Sequence, residues 1–206
     1  YEGVNVNVTL LFAVSAYEAV AEAYMRALER RRDEGLALDV RSVASFFVSR
    51  VDTNVDRRLE ALGRSDLAGR AAIANARAAY RRFQQIFSGP RWEALRDAGA
   101  AVQRPLWAST GVKDSRYRDT MYVEELIARD TVNTMPMATL MAMADHGEVI
   151  GASAERDPSE DLEALAEAGI DLDEVTEELL VEGVKTFEDA MTRLLEGIEE
   201  QRTVVV

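Results

Sequence analysis

The sequence predicts an α/β fold of parallel βα units, of the (β/α)8 barrel type, with about four such units in 206 residues and an acidic helical tail. Three observations carry this prediction. Strand-like and helix-like patterns alternate four times up to residue 144. The stretch Ser42-Val-Ala-Ser-Phe-Phe-Val-Ser-Arg50 is almost continuously apolar, as suits a strand buried on both faces of a parallel sheet. Polar residues also gather within the strands or at their C-terminal ends, the rim on which barrel sites are built: Asn7, Thr9, Arg50, Ser109, Lys113, Asn133 and Thr134. A doubly wound nucleotide-binding sheet would instead place a glycine-rich turn after its first strand, and Phe12-Ala-Val-Ser15 has no glycine.

The opening strand, 3–12, alternates strictly at first. Asn5, Asn7 and Thr9 lie on one face and Val4, Val6, Val8 and Leu10 on the other. Short amides and a hydroxyl can be held in a semi-enclosed, hydrogen-bonded space, so this face reads equally as the wall of a site or as a half-buried edge strand. Ser15 is placed to cap a helix with Tyr17, Val20, Ala21, Tyr24 and Leu28 on one side, basic last turns, and Gly35 at its end. A second strand is expected over 41–51, then helices over 52–62 and the alanine-rich 67–87. Ser88-Gly89-Pro90 breaks that helix and 91–98 forms a short one. The third strand, 105–109, leads into Thr110-Gly-Val-Lys-Asp114, and a short helix follows over 121–127.

The fourth strand, 131–135, is closed by Pro136, which starts a helix over 137–144. Met137, Leu140, Met141 and Ala144 repeat there at i, i+3, i+4 and i+7, as a core-facing stripe or as cover for apolar surface in a dimer. His146 is expected near that helix's C-terminus, and Asn133 and Thr134 to pin the turn before Pro136. Helices over 158–168, 172–182 and 184–201 close the chain, which divides into a barrel part, 1–150, and an acidic extension, 151–206. From Glu155 to Arg202 seventeen carboxylates face four basic residues, the composition of a solvated outer face.

Composition narrows the chemistry. There is no cysteine, which excludes disulfides, thiolate nucleophiles and cysteine-bound zinc. One histidine gives no basis for a His-based metal site or triad. A net charge of −13 opposes general binding to nucleic acid or anionic membrane. No apolar run has the length of a bilayer span and no signal peptide precedes the first strand, so the expected location is the cytoplasm. Only Lys113 and Lys185 supply side-chain amines.

Four blocks, in order, carry a family resemblance: Gly3-Val-Asn-Val-Asn-Val-Thr-Leu-Leu-Phe12, Val43-Ala-Ser-Phe-Phe-Val-Ser-Arg-Val-Asp-Thr53, Gln103-Arg-Pro-Leu-Trp-Ala-Ser-Thr-Gly-Val-Lys113 and Thr131-Val-Asn-Thr-Met-Pro136. The chain resembles the transaldolases, most closely the long bacterial type seen in actinobacteria and in some transaldolase–phosphoglucose isomerase fusions. The resemblance implies a (β/α)8 barrel that moves a dihydroxyacetone unit between sugar phosphates in the pentose phosphate pathway through a lysine Schiff base, with no metal and no organic cofactor. It assigns Asn7 to the hydroxyls of the intermediate and Thr9 to the water used in proton transfer. Ser45 and Phe47 would shape the substrate channel, Arg50 would take the phosphate, Ser109 would lie beside the substrate, and Lys113 would be a second phosphate contact.

By the same resemblance the chain corresponds to strands five to eight, and the nucleophilic lysine belongs to the strand before its first. The implied partners are therefore sugar phosphates and either an N-terminal half-barrel or a second copy of the chain. Lys113 is a poor substitute nucleophile, because Asp114 beside it would favour the ammonium. The competing reading is a non-catalytic half-barrel that binds sugar phosphate or dimerises through its open sheet edges.

Overall fold

A computed structural model describes residues 1–204, with side chains through residue 202. Four strands, β1 (Val6–Leu11), β2 (Ser42–Phe47), β3 (Arg104–Ala108) and β4 (Val132–Asn133), form one parallel sheet in the order β1-β2-β3-β4. The helices between them are α1 (Val14–Asp33), then α2 (Ser49–Ala61), α3 (Ala71–Ile86) and α4 (Gly89–Asp97), then α5 (Met121–Glu124). After β4 come α6 (Met137–His146), α7 (Ser159–Glu167) and α8 (Leu172–Val204).

The register sorts the side chains. Val8 pairs with Ala44 and Phe46 with Trp107, so these four share the face covered by helices. Phe46, Trp107, Tyr17, Met25, Val55 and Leu59 are all buried there. Trp107 meets Phe46 edge-on at 6.2 Å and donates from its indole nitrogen to the Leu126 carbonyl at 2.9 Å, so the largest core side chain has its one polar atom satisfied. The opposite face carries Asn7, Val43, Ser45, Phe47, Leu106 and Val132.

Several expected boundaries move. The second strand stops at Phe47, and 49–51 are helical, so Arg50 lies in the first turn of α2 and not at a strand end. The switch occurs because the Val48 and Ser49 amides still donate to the Ala108 and Ser109 carbonyls, while the Val51 amide already turns back to Val48. The first helix begins at Val14 with no side-chain cap, so Ser15 does not serve as one. Residues 65–67 form a separate short helical turn before α3, and α4 takes in Gly89 and Pro90, proline being tolerated in a first turn. The fourth strand is cut to two residues and the helix after residue 120 to four.

The opening strand is largely open at its start. Val4 is 66% and Val6 49% exposed, and the pairing to β2 is irregular between Val8 and Leu11, where Leu10 takes φ 60°. The methionine stripe of α6 is not core either: Met137 and Met141 are 71% and 61% exposed, and Thr139 is the buried residue of that helix. The two closing helices are one, α8. Gly183 does not break it but lets it approach the end of β1, where a Cβ would meet Leu10 Cδ2 at 3.1 Å. Beyond Gly183 the apolar residues Val184, Phe187, Met191, Leu194 and Ile198 are exposed at three- and four-residue spacing.

One glycine fixes a loop. Gly69 has φ +76°, and a Cβ there would lie 2.9 Å from the ring of Tyr117. Its amide donates to Asp56 Oδ1 at 2.9 Å, and the Tyr117 hydroxyl donates to Asp56 Oδ2 at 2.7 Å. Gly69→Ala is therefore expected to lower unfolding stability by about 1–3 kcal/mol through backbone strain and displacement of Tyr117. Urea unfolding checks this, and a change within about 0.5 kcal/mol of zero would contradict it.

Candidate active site

The sequence of α2 organises the site. Arg50, Thr53, Asn54 and Arg57 recur at three- and four-residue spacing from its first turn, so one helical face presents them together beyond the C-terminal end of β2. With Ser49, Ser109, Lys113, Leu179 and Glu182 they line a cavity of about 470 Å³. Ser109 sits just past β3 at φ 58°, and its hydroxyl lies 2.9 Å from that of Ser49. The Arg50 guanidinium stands over the Phe47 ring at 5.6 Å, which restricts it without consuming its donors. Among the described residues no carboxylate forms an ion pair with Arg50, Arg57 or Lys113. Three cations, three hydroxyls and the N-terminus of a 13-residue helix converge here. Side-chain charge and the helix dipole both give this cavity a positive character, opposed on its wall by the Glu182 carboxylate.

The expected residues fall into two groups. Arg50, Ser109 and Lys113 share the cavity. Asn7 and Ser45 pair separately on the open sheet face, where the Ser45 hydroxyl donates to Asn7 Oδ1 at 2.7 Å. Phe47 links the groups through Arg50, while Thr9 is exposed two residues beyond Asn7 on β1 and does not line the cavity. Ser49, Thr53, Asn54, Arg57 and Glu182 are additions that the sequence reading missed. Thr53, Asn54 and Arg57 lie on the helix already expected over 52–62, Ser49 joins them because that helix starts earlier, and Glu182 arrives from α8 with no local signal.

Lys113 is exposed, and the expected Asp114 partner is engaged elsewhere: Arg116 Nη2 lies 2.6 Å from Asp114 Oδ2 and 2.9 Å from Glu60. Asp114 is thereby held below the usual carboxylate range by the Arg116 hydrogen bond. The case against Lys113 as a nucleophile thus rests on its exposure and not on Asp114. Lys185 is also exposed, with Asp189 at 3.9 Å.

A buried acid network braces α2 beneath this cavity. Asp52 is 1% exposed, accepts the Ala72 amide at 2.7 Å and receives the Tyr122 hydroxyl at 2.8 Å. Burial outweighs those bonds and pushes its carboxyl up to about 7. Tyr122 and Tyr117 are in turn pushed above their ordinary values, first by burial and then by the neighbouring aspartates. On the far side, Arg58 bridges Glu174 at 3.0 Å and Glu178 at 2.6 Å, which anchors α8 against α2. Asn133 and Thr134 do pin their turn: Thr110 donates to Asn133 Oδ1 at 2.9 Å, and the Thr134 amide donates to the Trp107 carbonyl at 3.0 Å. His146 ends α6 as expected and is held above its ordinary value by hydrogen bonds with Asp119 and Asp145.

Among the described residues no group of His, Asp and Glu is placed to hold a metal ion, and no helix is long and apolar enough to cross a membrane. The transaldolase/fructose-6-phosphate aldolase family matches residues 1–198. Transaldolase 2 of Streptomyces coelicolor is 50% identical over 206 residues, covering 97% of this chain and 55% of the relative. The transaldolase of a Parafrankia species is 54% identical over 207 residues, with 97% and 56% covered. That of Saccharopolyspora erythraea is 51% identical over 205 residues, with 97% and 56% covered. The chain thus spans about half the length of the curated relatives it matches. A parallel sheet with an arginine-lined cavity at its C-terminal rim and these matches together give the conclusion that the chain belongs to the transaldolase/fructose-6-phosphate aldolase family.

Proposed function

We propose that this chain forms strands five to eight of a transaldolase barrel and supplies its phosphate-binding rim. The observation that carries the reading is the convergence of Arg50, Arg57 and Lys113 on one cavity whose lining holds a single carboxylate, Glu182, with no ion pair to any of the three among the described residues. A sugar phosphate placed with its phosphate between these cations and the α2 N-terminus would direct its carbon chain over the open sheet face, past Phe47 towards Ser45, Asn7 and Thr9. Asn7 would donate from its amide nitrogen to a substrate hydroxyl, its Oδ1 being engaged by Ser45. Thr9 would hold the water that relays protons.

The Schiff-base step needs an amine that adds to the ketose carbonyl with loss of water. Neither lysine of this chain lies on a strand, so the nucleophile is assigned to a strand that pairs with the free edge of β1. The exposed Val4 and Val6 and the uncovered stripes on α6 and α8 support further structure against this half of the sheet. The second reading, a sugar-phosphate-binding half-barrel that pairs with another copy through its open edges, is favoured by the same exposed surfaces. Borohydride trapping with fructose 6-phosphate on the intact gene product separates them. A covalent adduct on a lysine outside residues 1–206 is expected. No adduct would reject the transaldolase reading, and an adduct on Lys113 would reject the assignment of the nucleophile.

A further inference from the structure

A second unpaired cluster of arginines lies at the opposite end of the sheet. Arg41 immediately precedes β2, Arg104 opens β3, and Arg129 lies just before β4. Because the strands are parallel, all three reach the same N-terminal rim. With Arg96 of α4 they line a cavity of about 860 Å³, whose wall also includes Tyr80, Phe83, Phe87 and Trp92. Arg96 is engaged by Asp97 at 3.0 Å, but among the described residues no carboxylate forms an ion pair with Arg41, Arg104 or Arg129. Composition does not force this: the chain has 37 acidic residues against 24 basic ones, so carboxylate partners are plentiful.

The segments bearing these arginines are held in place by side chains. The Tyr24 hydroxyl lies within hydrogen-bonding distance of the Val40 carbonyl at 3.0 Å and the Ala101 carbonyl at 2.9 Å, joining the segments that lead into Arg41 and Arg104. Asn5 Oδ1 accepts the Arg41 amide at 2.7 Å. Gln103, buried beside Arg104, donates to the Ser42 hydroxyl at 2.7 Å. The buried Tyr80 donates to the Arg129 carbonyl at 3.1 Å. The backbone is thus organised while the guanidinium donors stay free, an arrangement suited to an anion with several acceptor oxygens.

We propose that this N-terminal-rim cavity is a second anion site, distinct from the one at Arg50, and that it takes a small molecule bearing a diphosphate or longer phosphate chain. Three guanidinium groups on three separate segments match more than one phosphoryl group, and the volume admits a ligand of nucleotide size. Asp130 and Glu155 on the wall oppose the anion and set a limit on its affinity. The hydroxyls on the wall are already engaged, Ser42 with the Val6 carbonyl and Tyr80 with the Arg129 carbonyl, so the proposed role is binding.

Trp92 lines this cavity, while Trp107, the other tryptophan, is buried in the core beneath the sheet, so tryptophan fluorescence reports locally. Titrating the 206-residue chain with inorganic pyrophosphate at low salt is expected to give a saturable change. The Arg104→Gln/Arg129→Gln variant should weaken it at least about tenfold, and Glu155→Gln should tighten it about threefold. If the double variant loses its fold, the gain in Glu155→Gln still carries the test. Arg50→Gln should leave the Trp92 response in place. No saturable response in the unaltered chain, equal affinity in all variants, or loss of the response only in Arg50→Gln would each overturn the proposal.

Discussion

Arg50→Gln is expected to weaken binding of fructose 6-phosphate at the C-terminal rim by about tenfold to a hundredfold. The estimate follows from the hydrogen bonds a guanidinium makes to a phosphate, about 1.5–3 kcal/mol when a charged partner is involved. Two features place Arg50 at the upper end of that range. Its guanidinium is restricted above Phe47, so little side-chain freedom remains to be lost on binding, and no carboxylate in the cavity wall is paired with it. Arg50→Lys should recover only part of the loss, because an ammonium keeps the charge but not the planar fork. Calorimetric titration of each variant with fructose 6-phosphate is the measurement. Unchanged affinity in Arg50→Gln would remove the phosphate from this cavity and with it the orientation of the substrate over the sheet.

The second large effect concerns Asp52. The unfolded carboxyl ionises near its ordinary 3.8, whereas the folded one holds its proton to about 7. The folded state therefore binds the extra proton between these values. The contribution to stability is full below about pH 4 and is lost as the pH rises through 7. A shift of about three units corresponds to a loss of about 4 kcal/mol across that window. Asp52→Asn keeps an acceptor for the Ala72 amide and offers its own amide to the Tyr122 oxygen without ionising, so its profile should be flatter. Asp52→Ala would leave both partners unsatisfied in a buried site and destabilise at every pH. Urea unfolding at pH 5 and pH 8 tests this. Parallel profiles for the unaltered chain and Asp52→Asn would show that Asp52 does not titrate in this way.

The parts of the fold legible in the sequence were those set by local alternation and by helix-ending residues: four parallel strands, the order of the helices, and the polar character of the strand ends. The transition at 48–51 was not legible, because Val48-Ser-Arg-Val51 has the composition of a strand. Only the change in backbone partners after Phe47 turns it into a helix. Thr53, Asn54 and Arg57 already fall within the helix expected over 52–62; the shift adds Ser49 and Arg50 to the same helix, which brings all five to one cavity. Gly183 falls between the helices expected over 172–182 and 184–201 but lies inside one continuous helix, where the missing Cβ permits close packing on Leu10. The methionine stripe on α6 had core periodicity and is exposed, since periodicity identifies a face without identifying what meets it. Glu182 reaches the cavity through the path of α8, which no local pattern encodes.

Helix α8 carries two regimes of solvation along one rod. Up to Gly183 its residues Val175, Thr176 and Leu179 are buried and Arg58 of α2 clamps Glu174 and Glu178. Past that glycine, the described side chains through Arg202 are largely solvated. Local opening of the outer segment costs little more than its own backbone hydrogen bonds, whereas opening the inner segment also uncovers Leu10, Phe12 and the anchor on α2. Glu182 stands at this boundary, so the wall of the cavity sits at the junction between a firmly held and a loosely held length of the same helix.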